Sequence, residues 1–316
     1  MKKFLVTGGA GFIGSHIVEE LVKKGNFVRV LDNFSSGKLN NLKPFLNKIE
    51  LIRGDIRNPA ICLRATKGID YVLHQAALRS VPKSMKFPLD YNEVNINGTL
   101  HMLQAAAENK VKGFVFASSS SVYGDIDDFP ERESFLPQPI SPYALSKLTG
   151  EHYCKIFSLH FGLATVSLRY FNVFGPRQSL DDEYAVVVPK FTTCMLANQQ
   201  PPIFGTGKQS RDFTFVKNVV QANLLAASRA GLENIRGRAF NVAGGRDYTV
   251  LELVGLLNKI LGKNIKPRFL PLRRGDVFKT AACLSSSKKI LGFQPKINFE
   301  EGLKLTVEYF RNYHKE

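Results

Sequence analysis

The run Phe4-Leu5-Val6-Thr7-Gly8-Gly9-Ala10-Gly11-Phe12-Ile13-Gly14 constrains this chain more than any other stretch. An apolar strand that runs into glycines at this spacing makes a tight turn and then opens a helix. Gly8, Gly11 and Gly14 carry no side chain that would obstruct a pyrophosphate, and the first amides of the helix face outward as anion donors. The segment therefore reads as a dinucleotide turn, and it commits the N-terminal part to a parallel sheet covered by helices.

The rest of the first half keeps that rhythm. Short apolar runs at 3–7, 27–31, 49–53, 71–74, 113–117 and 164–169 read as strands. Amphipathic runs at 11–24, 58–65, 88–109 and 142–161 read as helices. Six strands in this order predict an α/β, doubly wound parallel (Rossmann) sheet over residues 1–172, with ligands beyond the carboxyl ends of the strands. After Asn172 the rhythm breaks. Pro176, Pro189, Pro201 and Pro202 punctuate shorter segments, and Thr249 caps a helix over 249–261. Residues 173–316 are expected to form a smaller C-terminal α/β substrate-binding lobe, intimately packed on the first.

Composition narrows the function classes. The 43 Lys and Arg against 27 Asp and Glu give a net charge of +16, which favours an anionic partner. The basic residues are scattered, without aromatic interleaving or zinc-finger spacing, so no nucleic-acid partner is expected. Cys62, Cys154, Cys194 and Cys283 match no metal or disulfide spacing and read as reduced packing residues, in keeping with the cytoplasm. The first residues read as a strand, not a leader; no run reaches membrane-spanning length, and no membrane partner or metal is expected.

Two further groups point to nicotinamide chemistry. Asp32, ending the second strand about 20 residues after the turn, suits the adenosine ribose hydroxyls and would repel a 2′-phosphate, which favours NAD over NADP. Asn33 follows it, and Asp55 and Ile56 after the third strand are placed to touch adenine. Gln75, Ala76 and Ala77 follow the fourth strand beside the cofactor, while His74 reads as strand-end packing. Asn95 contacts the cofactor or braces the loop after the fifth strand. Tyr143 and Lys147, four apart, share one helix face directly after Pro142, so a cation can sit near a phenol and favour its ionised form. A serine in 118–121 can donate to the same substrate oxygen, or the cluster is a turn that satisfies backbone groups.

Together with His74-Gln75-Ala76-Ala77-Leu78-Arg79-Ser80-Val81-Pro82, Leu168-Arg169-Tyr170-Phe171-Asn172-Val173-Phe174-Gly175, Ser210-Arg211-Asp212-Phe213 and Arg273-Arg274-Gly275-Asp276-Val277, these motifs resemble the extended short-chain dehydrogenase/reductase superfamily. Within its nucleotide-sugar epimerase and dehydratase branch, they are similar to bacterial UDP-N-acetylglucosamine 4-epimerases of surface-polysaccharide pathways. The resemblance implies Tyr143 as base, Lys147 as its partner and ribose ligand, and Ser119 as the hydrogen-bonding serine, with Ser121 assisting at the sugar. It implies NAD held also by Phe12, Ile13, Ser35, Gly37 and Tyr170. It implies a UDP-sugar held by Arg79, Asn172, Val188, Ile203, Phe204, Arg211, Arg273, Asp276 and Thr280, and a homodimer paired through the helices at 88–109 and 142–161. Arg274 and Cys283 depart from the acid and the Asp common at those places in the branch.

Thr280 stands where the branch places a pocket-wall side chain, and it leaves room for an N-acetyl group that a tyrosine would block. The expected activity is C4 epimerisation of UDP-GlcNAc and UDP-GalNAc, with UDP-glucose and UDP-galactose as further substrates. The rivals are a UDP-glucuronate or UDP-GlcNAcA 4-epimerase or a uronate decarboxylase, since Arg79 or Arg274 can pair with a uronate. A dehydratase would need an Asp-Glu pair where Ser120-Ser121 stands. A reading of a different class is an NAD-binding scaffold or sensor without catalysis.

Overall fold

The computed structural model describes residues 1–180, 187–272 and 277–313, the side chain of Tyr313 excepted. In chain order the first half holds β1 (Lys3–Thr7), α1 (Phe12–Lys23), β2 (Phe27–Asp32), β3 (Glu50–Arg53), α2 (Pro59–Thr66), β4 (Tyr71–His74), α3 (Val81–Lys86), α4 (Pro88–Tyr91), α5 (Gly98–Glu108), β5 (Gly113–Ser119), α6 (Pro142–His160) and β6 (Thr165–Tyr170). The six expected strands are all present, within two residues of their predicted ends.

The second half adds β7 (Val173–Phe174), α7 (Val187–Leu196), β8 (Pro202–Phe204), β9 (Ser210–Asp212), β10 (Thr214–Phe215), α8 (Val216–Arg229), β11 (Arg238–Val242), β12 (Asp247–Thr249), α9 (Val250–Leu261), β13 (Arg268–Leu270), β14 (Lys279–Thr280) and α10 (Phe299–Tyr313). The main sheet has seven parallel strands in the order β11-β6-β5-β4-β1-β2-β3. The seventh strand is absent from the sequence expectation. Arg238-Ala239-Phe240-Asn241-Val242 has two polar residues in five and lies among turns, so no apolar run marks it. It pairs with β6 from Arg238 opposite Val166 to Val242 opposite Tyr170. With α8 it completes the sheet, so the chain crosses back over the sequence division at residue 172.

The sheet is apolar on both faces, as a doubly covered parallel sheet must be. Leu5, Leu31, Val72, Phe114 and Phe116 pack with Met102, Leu103, Cys154 and Phe157 of the helices on one side. Val6, Val30, Leu73, Val115 and Val166 pack with Ile17, Val18, Val219 and Ala226 of α1 and α8 on the other. A third cluster, around Phe174, Phe191, Met195, Phe213, Leu253 and Phe299, forms the core of the smaller lobe. Thr249 caps α9 as expected. Its hydroxyl accepts from Glu252 N at 3.1 Å while the Glu252 carboxylate accepts from Thr249 N at 2.7 Å, a reciprocal pair worth about 1 kcal/mol.

The expected helix over 88–109 is interrupted. Residues Asn92–Asn97 form a π-helical turn between α4 and α5, and the extra residue turns Asn95 inward, where it is buried. The four cysteines are unbonded, Cys62 and Cys154 being buried. Among the described residues no helix is long and apolar enough to cross a membrane, and no cluster of side chains suits a metal.

Candidate active site

One cavity of about 1780 Å³ runs along the carboxyl ends of the strands from the glycine turn to the smaller lobe. At its floor Gly8 has φ +64° and approaches Ala76 so closely that a Cβ would lie 2.8 Å from Ala76 N. A Cβ on Gly14 would sit 2.1 Å from Gly8 O, so helix and turn pack backbone to backbone. Gly11, the N-cap of α1, has no side chain to occupy the free amides, and the first turn holds no acid. An anion-binding helix terminus therefore opens into the cavity beside Phe12 and Ile13.

Asp32 is fixed by two amides: Oδ2 accepts from Ala10 N and Oδ1 from Phe34 N, each at 2.8 Å. Burial pushes its carboxyl above the usual range. Gly37 packs against it, since a Cβ there would lie 3.0 Å from Asp32 Oδ1. Asn33 donates to Asp55 at 2.9 Å, and the Arg57 guanidinium hydrogen-bonded to Asp55 holds that carboxyl well below its ordinary value. Ser35 and Ile56 line the same end.

Behind the fourth strand the polar contacts form a chain whose direction can be deduced. Thr99 Oγ1 donates to Asn95 O at 2.6 Å, so it receives the N–H of His74 Nε2 at 3.1 Å. His74 Nδ1 then accepts from Thr7 Oγ1 at 2.8 Å, and Thr7 Oγ1 accepts from Ala76 N at 3.2 Å. Burial lowers the His74 imidazole to about 3, which keeps it neutral. Asn95 accepts from Leu78 N at 2.8 Å and donates to Leu78 O and Ser146 Oγ, each at 3.0 Å. It braces the 76–79 loop and does not reach the cavity wall. Gln75 and Tyr170, both lining the cavity, meet through Asn223 of α8. Tyr170 donates to Gln75 at 3.2 Å and accepts from Asn223 at 2.8 Å, while Gln75 donates to Asn223 at 3.0 Å.

Ser119, Tyr143 and Lys147 converge at the centre of the cavity. The Ser119 hydroxyl stabilises the ionised form of the Tyr143 phenol and accepts from the Ser121 hydroxyl at 2.9 Å. The expected cation sits over the phenol ring, but no hydrogen bond joins the two. Lys147 Nζ donates to Ala117 O at 2.8 Å and lies 5.9 Å from the centre of the Tyr143 ring. Lys147 is buried and Tyr143 half-buried, and desolvation raises the phenol above its ordinary value and lowers the ammonium to about 8. The groups that oppose burial at the phenol are Ser119 and the charge of Arg79.

On the sugar side Asn172 donates to Thr280 Oγ1 at 2.9 Å, joining two cavity-lining residues from distant parts of the chain. Arg211 lines the cavity but is turned to backbone, donating to Ser210 O at 2.8 Å, Phe278 O at 3.1 Å and Val277 O. Val188 and Ile203 are buried in the third core cluster and Phe204 is half-buried in β8; none of the three lines the cavity. Apolar side chains in a compact lobe pack into its core first. Arg273, Arg274 and Asp276 lie outside the described residues.

Sequence reasoning missed the roles of three buried acids around this centre. Glu151 receives Arg169 through two bonds of 2.9 and 2.7 Å, and Ser118 at 2.5 Å. Glu131 and Asp212 both hold the strand after Thr280, Glu131 accepting from Ala281 N at 2.8 Å and Asp212 from Ala282 N at 3.4 Å. Burial pushes Glu131 up to about 8 and Asp212 to about 7. Glu151, lying four residues beyond Lys147 on α6, is the one whose spacing carried a signal.

The sequence model of the NAD dependent epimerase/dehydratase family matches residues 4–243. The chain belongs to that family. A putative UDP-glucose 4-epimerase of Methanocaldococcus jannaschii is 36% identical to this member over 310 residues, 98% of each chain. Among solved structures, the UDP-N-acetylglucosamine 4-epimerase of Methanobrevibacter ruminantium M1, in complex with UDP-N-acetylmuramic acid, is 41% identical with a TM-score of 0.93, covering 99% of both chains. The UDP-glucuronic acid 4-epimerase of Bacillus cereus, solved with UDP-glucuronic acid and NAD, is 33% identical with a TM-score of 0.90, covering 99% of this chain and 100% of that one. The glycine cradle, the uncapped start of α1 and the amide-bound Asp32 of this family member fit the NAD on which the family depends.

Proposed function

We propose that this enzyme inverts C4 of UDP-hexoses, with UDP-GlcNAc and UDP-GalNAc among the sugars it interconverts. The convergence of Ser119, Tyr143 and Lys147 on a cavity continuous with the dinucleotide turn carries this reading. Tyr143 takes the proton of the C4 hydroxyl while Ser119 hydrogen-bonds the same oxygen. NAD, held by the glycine turn, the start of α1 and Asp32, would supply the hydride acceptor and donor that inversion at C4 needs. Lys147 is seated to reach the cofactor ribose from α6, and its bond to Ala117 O holds it there until then. Asn172, Thr280 and Ser121 contact the sugar, Arg211 and Arg273 the diphosphate, and Asp276 the uridine ribose.

Thr280 supports the acetylated sugars because a short side chain at this wall leaves space beside C2. Proton NMR of purified enzyme with UDP-GlcNAc is expected to show UDP-GalNAc appearing, and Thr280→Tyr is expected to lose this conversion while still acting on UDP-glucose. Full retention of UDP-GlcNAc turnover in Thr280→Tyr would remove Thr280 from the pocket wall.

The homodimer belongs to the same proposal. Leu89, at 79% exposure, and Leu145, Ile156, Leu159 and Phe161 leave an apolar surface along α4 and α6, which a second copy would cover. A cytoplasmic enzyme of polysaccharide biosynthesis is the setting that suits such an activity.

A further inference from the structure

Four arginines among the described residues line the cavity, and three are already engaged by the protein. Arg57 is bonded to Asp55, Arg177 to Glu19 and Ser15, and Arg211 to three backbone carbonyls. Arg79 is the exception: it is exposed to the cavity and makes no hydrogen bond or ion pair through its guanidinium.

Its mount is rigid. Tyr91 OH donates to Arg79 O and, at 2.9 Å, to Ser80 O. Asn95 grips both backbone groups of Leu78, and Ser80 holds φ +95°, a conformation that a serine adopts only when its surroundings impose it. The Tyr91 ring meets the Tyr143 ring edge-on with centres 6.3 Å apart. The loop that bears Arg79 is thus fastened beside the reacting phenol, and the Arg79 charge is felt there.

Arg79 and the phenol line the same cavity, so a sugar whose C4 hydroxyl meets Tyr143 brings the neighbouring carbons to the part of the cavity where the Arg79 charge is felt. We propose that Arg79 is a subsite for a carboxylate borne on the sugar next to C4, so that the preferred UDP-sugars are anionic. The guanidinium fork matches a carboxylate with two parallel N–H···O bonds. Among the described residues, the acids lining the cavity do not compete for it. Asp55 and Asp90 bear on Arg57, and Asp32 is bound by two amides. Glu131, buried and held neutral up to about 8, adds no negative charge at neutral pH to repel such a substrate. The carboxylate has two possible sources, a uronic acid at C5 or an acid ether on O3.

This inference rests on the 4-epimerase reading, and the experiment separates the two. Initial rates on UDP-glucuronate, UDP-N-acetylmuramate, UDP-glucose and UDP-GlcNAc are compared for the wild type, Arg79→Lys and Arg79→Gln, with calorimetric binding of the same four compounds. The expected result is a wild-type preference for one acid over its neutral counterpart, in kcat/KM and in affinity. That ratio should fall about ten- to a hundredfold in Arg79→Gln and less in Arg79→Lys. Which acid is preferred identifies the source of the carboxylate. A wild type that favours both neutral sugars, or a ratio unchanged in Arg79→Gln, overturns the subsite. Binding without turnover of any of the four overturns the epimerase reading, while the affinity ratio still decides the role of Arg79.

Discussion

At the residue scale, the centre of the site sets a catalytic need against burial. Lys147 is 5% exposed with an ammonium lowered to about 8, so its protonated form is carried at a cost to folding. Because the folded value lies below the unfolded one, that cost is present at neutral pH and fades as pH rises from about 8 toward 10.5. Lys147→Met is therefore expected to raise the thermal midpoint at pH 7 by a few degrees while reducing turnover by at least about a thousandfold, read by calorimetry and a rate assay. A lower midpoint would show that the bond to Ala117 O outweighs desolvation. Glu131 titrates in the opposite sense. Its folded value, about 8, lies above the usual one, so stability is fully present at acid pH and is lost as pH climbs from about 4.5 to 8. Glu131→Gln keeps an acceptor for Ala281 N, and its unfolding free energy should vary less across that window. That Tyr143, Lys147 and Ser119 line one cavity was legible in the sequence, the first two from their spacing on one helix and Ser119 from the family resemblance. Glu131, Asp212 and Asn223 were not, because each finds its partner across 30 or more residues and no local pattern marks such a pair.

At the element scale, the turn and α1 are the most tightly specified part. Gly14→Ala would place a methyl 2.1 Å from Gly8 O, against backbone that has nowhere to move. It should weaken NAD binding at least about tenfold, measurable by fluorescence titration, since the helix must lift off the phosphate turn. Wild-type affinity in Gly14→Ala would mean that the turn does not hold the phosphates. The periodicity of 88–109 was legible, but its π-helical turn was not. A single inserted residue shifts the phase by about 100°, and Val94, Asn95 and Ile96 give no composition cue. That turn is what sends Asn95 to Leu78 and Ser146. The strand β11 was hidden for a related reason: it joins the sheet at an edge, so half-polar residues suffice.

At the scale of the whole molecule, the seven-stranded sheet and the smaller lobe meet along one cavity. The strand carrying Thr280 is pinned to the sheet side by Glu131 and Asn172. This arrangement puts a wall of one lobe over the reacting centre of the other, and explains why Thr280, more than 100 residues from Asn172 in sequence, can shape the same pocket. The exposed leucines of α4 and α6 predict a dimer. Sedimentation equilibrium should give about twice the chain mass at micromolar concentration, and Leu145→Glu with Leu159→Glu should give a monomer. A wild-type monomer under those conditions would contradict it.

The central claim is that one hydride leaves C4 and returns to the same carbon without meeting solvent. UDP-GlcNAc deuterated at C4 is incubated with the enzyme in ordinary water, and the UDP-GalNAc formed is read by proton NMR and mass spectrometry. The account predicts full retention of deuterium at C4 in the product and no product from Tyr143→Phe. Loss of the label to water, or label retained with undiminished turnover in Tyr143→Phe, would contradict it.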